Sequence, residues 1–355
     1  RGLGDVYKRQ TEGGRSISCR PFFLALQLGW EHKMSDSTLT VGLAQIAPVW
    51  LDRTATLDKV VAWISDAAQQ GCNLVAFGEA LVPGYPFWVE RTGGAAFESD
   101  LQKSLFAHYV SQGVCIEDGD LDLVCEAARS HGIAVYLGIM ERAANRGGHS
   151  LYCSMVFVDA AGKICSVHRK LMPTHEERLV WAIGDGNGLR THKLGPFTVG
   201  GLNCWENWLP LPRAALYALG EDLHVAIWPG NRRNTEDITR FIARESRSYV
   251  VSVSGLMRRE DIDPALPHAE LLIETADDVM ANGGSCVAGP DGNWLLEPVT
   301  GKEALSIVEI DHARVLEERH SLDVVGHYSR PDVTRLVVNR KRQATAEFLD
   351  EPPDD

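Results

Sequence analysis

A cysteine at the end of an apolar strand is the residue of this chain best placed to do chemistry. Phe197-Thr198-Val199-Gly200-Gly201-Leu202 reads as a short buried strand, and Asn203-Cys204-Trp205-Glu206-Asn207-Trp208 follows it directly. Residues 209–220 then read as a helix, with Pro210 and Pro212 in the first turn and Gly220 at the stop. A thiol at such an elbow is held rigidly, and the N–H groups of a helix terminus are expected to favour thiolate over thiol. On this segment alone, Cys204 serves equally well as one more small buried hydrophobe. Two other strand ends add weight. Asn73-Leu74-Val75-Ala76-Phe77-Gly78 runs into Glu79 and then a loop punctuated by Pro83, Gly84 and Pro86. A carboxylate there is costly unless paired or used, and burial raises its pKa toward neutrality, where it can exchange protons. The plainer alternative is a surface glutamate that opens a loop. Lys170, in Val167-His168-Arg169-Lys170, ends a strand over residues 163–167 and is otherwise a solvated basic strand end. A base, a cation and a nucleophile on three strand ends suit acyl-type chemistry.

The elements that must position these groups alternate between strand and helix patterns. Strands are expected at residues 40–47, 74–77, 134–139, 151–158, 163–167, 198–203, 223–228 and 249–254. Helices are expected at 54–70, 97–110, 121–130, 209–220 and 235–246. Residues 285–288 and 304–310 are expected to close the chain as a strand pair across the turn Asp291-Gly292-Asn293. This mixture of βα units and hairpins implies a mixed α/β sheet structure with helices outside.

Composition narrows the function classes. A formal net charge of −13 argues against nucleic acid, whose phosphates call for a basic face. Eight cysteines with no C-x-x-C pair argue against a zinc ribbon or a disulfide framework and fit a reducing, cytoplasmic setting. Gly184-Asp185-Gly186-Asn187-Gly188 is turn chemistry, not a phosphate loop. No stretch has the length of a membrane span, so no membrane partner is expected. Gly4-Asp5-Val6-Tyr7-Lys8-Arg9-Gln10 looks like translated adapter sequence and Met34 like a native start, so residues 1–33 are expected to be non-native or disordered.

Phe77-Gly78-Glu79, His168-Arg169-Lys170-Leu171 and Asn203-Cys204-Trp205-Glu206-Asn207 together resemble the three signature blocks of the nitrilase (carbon–nitrogen hydrolase) superfamily, in the same order and with similar spacing. The resemblance runs over about residues 40–333. Glu79-Ala80 with Pro83-Gly84-Tyr85-Pro86, Cys204-Trp205-Glu206-Asn207 with Pro210-Leu211, and Gly326-His327-Tyr328-Ser329-Arg330-Pro331-Asp332-Val333 point to its nitrilase branch. The resemblance implies a four-layer α-β-β-α sandwich over residues 40–312 and an oligomerisation segment over 313–340, while the acidic end of the chain, with Pro352 and Pro353, is expected to form a disordered tail over 341–355. It implies Glu79, Lys170 and Cys204 as a triad and Glu177 as a fourth charged participant, although Glu177 also reads as a glutamate that starts a helix. Trp205, Tyr85 and Trp228 either line an aromatic-tolerant substrate pocket or pack in the core. Glu206 is expected to brace the elbow. The reaction implied is hydrolysis of a small nitrile by water to acid and ammonia, with no metal or organic cofactor. Amide or N-carbamoyl amide hydrolysis and cyanide hydration use the same triad and stay open. A homodimer extending into spiral assemblies is also implied.

Overall fold

The computed structural model describes residues 37–346. The expected N-terminal extension, and residues 347–355 of the expected tail, lie outside them. The chain runs β1 (Thr38–Gln45), α1 (Arg53–Gln69), β2 (Leu74–Phe77), α2 (Trp88–Arg91), α3 (Asp100–Ser111), α4 (Asp122–His131), β3 (Ala134–Arg142), β4 (Leu151–Val158) and β5 (Ile164–Arg169). It continues through β6 (His192–Leu194), β7 (Phe197–Asn203), α5 (Pro210–Ala218), β8 (Leu223–Trp228), α6 (Arg232–Ser246), β9 (Tyr249–Ser254) and β10 (Leu256–Arg258). Last come α7 (Ala269–Thr275), β11 (Val279–Ala288), β12 (Trp294–Thr300), β13 (Ala304–Asp311) and α8 (His312–Arg319).

Two sheets form. One has the order β13-β1-β2-β3-β4-β5; the other runs β10-β11-β9-β8-β7-β6, with β12 paired to β11. The central strands β1, β2 and β3 are parallel to one another, as are β7, β8 and β9. The carboxyl ends of β2 and β7 therefore carry Glu79 and Cys204. Strands buried on both faces read as nearly continuous apolar runs, which is the pattern of Leu74–Phe77 and, His224 apart, of Leu223–Trp228. Leu43, Ala76, Tyr136 and Phe157 of the first sheet meet Val199, Val225, Ile227 and Val253 of the second in one shared core. On the far face of the first sheet, α1 and α4 bury Leu57, Val60, Ile64, Val124 and Ala128. On the far face of the second, α6 buries Ile238 and Ile242 against Ala226 and Trp228, and α5 sets Leu216 against Leu202. The layers are thus α-β-β-α, as the resemblance implies. None of the described helices is long and apolar enough to cross a membrane.

The final strand pair differs from the expectation. Across the turn at Asp291–Asn293, β11 pairs with β12, whereas β13 crosses to the first sheet and pairs antiparallel with β1, Thr38 facing Asp311. β12 is only partly buried, and Glu297 and Pro298 end its short apolar run Trp294-Leu295-Leu296; a proline is tolerated because β11 is its one partner among the described strands. The start of the expected tail is also held in place: Arg342 pairs with Asp185 at 3.1 Å, and the Gln343 N–H donates to Asp185 at 2.8 Å.

Candidate active site

The close approach of the two sheets at β2 depends on glycine. A Cβ on Gly78 would lie 3.0 Å from the backbone nitrogen of Gly255 and 3.1 Å from the Trp228 carbonyl oxygen across the interface, and within the first sheet one on Gly138 of β3 would lie 2.1 Å from the Gly78 carbonyl oxygen. Without those side chains, the Glu79 N–H reaches across to the Trp228 carbonyl at the end of β8, at 3.1 Å. Glu79 is thereby tied to the second sheet, near the end of the strand that carries Cys204.

Lys170 follows β5, and its N–H donates to the Cys153 carbonyl of β4 at 2.8 Å. Its ammonium lies 2.8 Å from Glu79 Oε1 and 2.7 Å from Glu177 Oε2. Glu177 belongs to a 3₁₀ turn, His175–Leu179, and its Oε2 also accepts the Thr174 N–H at 2.6 Å in a capping box. Its Oε1 accepts the Tyr85 hydroxyl at 2.9 Å. Cys204 begins a second 3₁₀ turn, Cys204–Trp208, with φ of +46°. A non-glycine residue in that region is costly and is kept only where its surroundings impose it. Here they do: Asn207 donates to both the Cys204 and the Leu202 carbonyls. Glu206 accepts the Asn203 and Leu171 N–H groups and lies 3.0 Å from His168 Nε2, so it joins the elbow to the lysine loop. That is the bracing expected of it.

Carboxylate oxygens of Glu79 and Glu177 and the Cys204 sulfur all lie within 4.8 Å of one another. Lys170 supplies the positive charge this acidic cluster requires. Burial raises the Glu79 carboxyl to about 7; Lys170 opposes the rise and Glu177 adds to it. Burial also disfavours charge on Lys170, yet Glu79, Cys204 and Glu177 hold its ammonium well above the ordinary range. The Cys204 thiol corrects the sequence reading. Burial first, then the charges of Glu79 and Glu177, push it well above the usual thiol value, against Lys170 and the Trp205 N–H. The segment after it is a single 3₁₀ turn rather than a helix terminus, so one N–H stands where several were expected. The resting group is a thiol beside a carboxylate of near-neutral pKa.

Cys204 opens onto a cavity of about 670 Å³ whose wall includes Tyr85, Phe87, Glu177, Trp205 and Met280. Trp205 is half exposed there. Glu79 and Lys170 are 2% and 1% exposed and are not on that wall. Neither is Trp228, which is fully buried with Tyr217, Ala226 and Ile242 and donates to Ser252. The sequence reading that offered Trp228 as a pocket residue thus meets its core alternative. Two neighbours of the cluster escaped that reading. The Cys153 thiol donates to Glu79 Oε1 at 3.2 Å, and the Trp181 ring lies 5.7 Å from the Lys170 ammonium. Cys153 sits in an unbroken apolar strand, where it looks like a small hydrophobe, and Trp181 lies in a segment without periodicity.

Comparison with known proteins agrees with this geometry. The carbon–nitrogen hydrolase family model matches residues 40–319. A protein named Nitrilase 2, from an unknown prokaryotic organism, is 36% identical over 321 residues, 89% of this chain and 98% of that protein. An aliphatic nitrilase of Rhodococcus rhodochrous is 33% identical over 326 residues, covering 86% of this chain and 84% of its own. A bifunctional nitrilase/nitrile hydratase of Nicotiana tabacum is 31% identical over 320 residues, 90% of both. Among solved structures, an amidase of the nitrilase superfamily from Nesterenkonia AN1 superposes with a TM-score of 0.58 at 18% identity, over 81% of this chain and 95% of that one. A carbon–nitrogen hydrolase from Helicobacter pylori gives 0.59 at 17% identity, over 80% and 93%. The order of the three strand-end motifs, the two-sheet fold that gathers them and these relatives place the chain in the carbon–nitrogen hydrolase family, on its nitrilase branch.

Proposed function

We propose that this protein hydrolyses an organic nitrile to its carboxylic acid and ammonia, with Cys204 as nucleophile. The observation that carries the reading is the closed charge cluster: thiol, carboxylate of near-neutral pKa and doubly paired ammonium, with only the thiol facing the cavity. Glu79 takes the thiol proton as sulfur bonds to the nitrile carbon, and a proton passes to nitrogen to give a thioimidate. Water attacks that carbon with Glu79 as base. Lys170 and the Trp205 N–H stabilise the charge that develops on the tetrahedral adduct. Ammonia leaves, a second water hydrolyses the thioester, and Cys204 regains its proton. Glu177 acts through Lys170, holding it in place. Expulsion of sulfur before ammonia releases the amide instead. Tyr85 and Trp205 on the cavity wall support roles in holding the substrate.

We place the reaction in a reducing, cytoplasmic setting, supported by seven free thiols among the described residues. We also assign a homodimer that extends into spiral assemblies, with residues 326–333 at a contact. The exposed side chains of Val325, Tyr328, Val333 and Val337 support this.

Ammonia release from a panel of nitriles and their matched amides, beside Cys204→Ala, tests the activity. Release from nitriles that the variant loses is the expected result. Release from amides alone would move the reading to amide hydrolysis, and release that survives in the variant would remove Cys204 from the chemistry.

A further inference from the structure

Cys153 is 1% exposed on β4 and takes no part in the reaction as written. Its S–H donates to Glu79 Oε1 at 3.2 Å, and the Lys170 ammonium lies 2.8 Å from the same oxygen. Glu79 Oε2 is buried and has no hydrogen-bond partner among the described residues. We propose that Cys153 is a positioning residue that, together with Lys170, holds Glu79 by Oε1 and so leaves Oε2 free to receive the Cys204 proton. The inference rests on the Glu79–Cys204 proton transfer proposed above.

The terminal torsion of a glutamate is broad, so a carboxylate held by one donor can turn. With Lys170 as its only partner, the Glu79 carboxylate would rotate to share both oxygens with the ammonium, and the free lone pair would be lost. A base must offer a lone pair within reach of the proton it takes. The thiol of Cys153 gives Oε1 a second donor at 3.2 Å and so opposes that rotation. The other ionisable groups facing Glu79 are Lys170 after β5, Glu177 of the 3₁₀ turn, Tyr85 of the loop after β2, Tyr109 of α3 and Cys204 of the elbow. None of them reaches Oε2 with a hydrogen bond.

The test uses the full chain with Cys153→Ala and Cys153→Ser. Two quantities are read against pH: nitrile hydrolysis, and the rate at which iodoacetamide alkylates Cys204. Cys204→Ala corrects for alkylation elsewhere, and rates are normalised to titratable Cys204. Loss of a donor to a carboxylate lowers kcat in Cys153→Ala about three- to tenfold, with KM within about twofold. It also moves the acid limb of both profiles to higher pH, because the charged form loses a stabilising bond. Cys153→Ser, whose hydroxyl is the stronger donor, restores kcat and carries the limb below the wild-type position. A merely structural role would lower the amount of active protein and leave the limb in place.

An unmoved limb in Cys153→Ala, or a serine variant as impaired as the alanine one, overturns the proposal. If Cys153→Ala does not fold, the serine variant decides alone: a limb shifted to lower pH supports the proposal and an unshifted one overturns it. A protein inactive on nitriles whose alkylation limb still moves would refute nitrile hydrolysis and leave the role of Cys153 standing.

Discussion

Glu177→Gln separates a residue that tunes the cluster from one that does chemistry. Glu177 Oε2 accepts from Lys170 at 2.7 Å and from the Thr174 N–H at 2.6 Å, and a glutamine oxygen in that place keeps both contacts. What is lost is charge, and with it the Oε1 acceptor of the Tyr85 hydroxyl, which keeps Glu176 Oε1 as an acceptor at 3.1 Å. The bond to Lys170 stays charge-assisted through the ammonium, so the variant gives up only the ion–ion part of the pair, roughly 1–2 kcal/mol on the scale that separates charged from neutral hydrogen bonds. If that hold is expressed in the transition state, kcat/KM falls about 5- to 30-fold. The pH dependence carries the sharper test. The negative charge of Glu177 is one cause of the raised Glu79 carboxyl at about 7. Removing it lowers that value, and Glu79 must be ionised to act as base, so the acid limb of kcat/KM moves to lower pH. This is opposite to the shift expected for Cys153→Ala. Ammonia release across pH 5–9 reads both quantities. An acid limb that stays in place or rises would refute the electrostatic reasoning. A loss beyond about 10⁴-fold with an unchanged thermal midpoint would make Glu177 itself a proton-transfer group.

Three further outcomes follow from particular contacts. Burial disfavours charge on Glu206, yet His168 and the Leu171 and Asn203 N–H groups hold its carboxyl below the ordinary range. Its contribution to stability is present above the unfolded carboxylate value and is lost as pH falls through the folded one. Glu206→Gln therefore costs about 1.5–3 kcal/mol at pH 7, with a flatter acid dependence in denaturant titrations; an identical dependence would contradict the bracing role. Trp205 and Trp228 should behave oppositely. Trp228→Ala costs about 3–5 kcal/mol of stability, whereas Trp205→Ala leaves the denaturation midpoint nearly unchanged and alters kcat/KM among aryl and alkyl nitriles by about 1–3 kcal/mol. Equal destabilisation would mean that Trp205 packs more than it binds. Deletion of residues 326–346 should reduce the assembly seen by light scattering, and an unaltered size would place the contact elsewhere.

Much of the site could be read before any folding. Leu74–Phe77 and Phe197–Asn203 are apolar runs that end in glycine- or proline-rich punctuation, and a buried parallel strand offers few other arrangements for such a run. The positions of Glu79, Lys170 and Cys204 at strand ends were legible for that reason. The fourfold layering came through resemblance, because alternating βα units alone are compatible with several layered folds.

Other features depended on contacts that no local pattern records. Cys153 meets Lys170 because the β4–β5 register shifts by one residue between Phe157 and Val158. A regular hairpin drawn back from the Asp159–Gly162 turn would set it against Arg169 instead, and a slip of one residue reverses every face. The partner of β13 is β1, more than two hundred residues away, and the half-buried β12 shows no apolar alternation to announce it. Trp205 and Trp228 are the same residue type near two strand ends, yet one lies against solvent and the other under α6. The sequence alone determined which groups are present and which strands deliver them. The tertiary structure decided their ionisation. Whether Cys204 rests as thiol or thiolate depends on how much water burial removes and on which charges stand within a few ångströms, and these are properties of the two packed sheets, not of any segment.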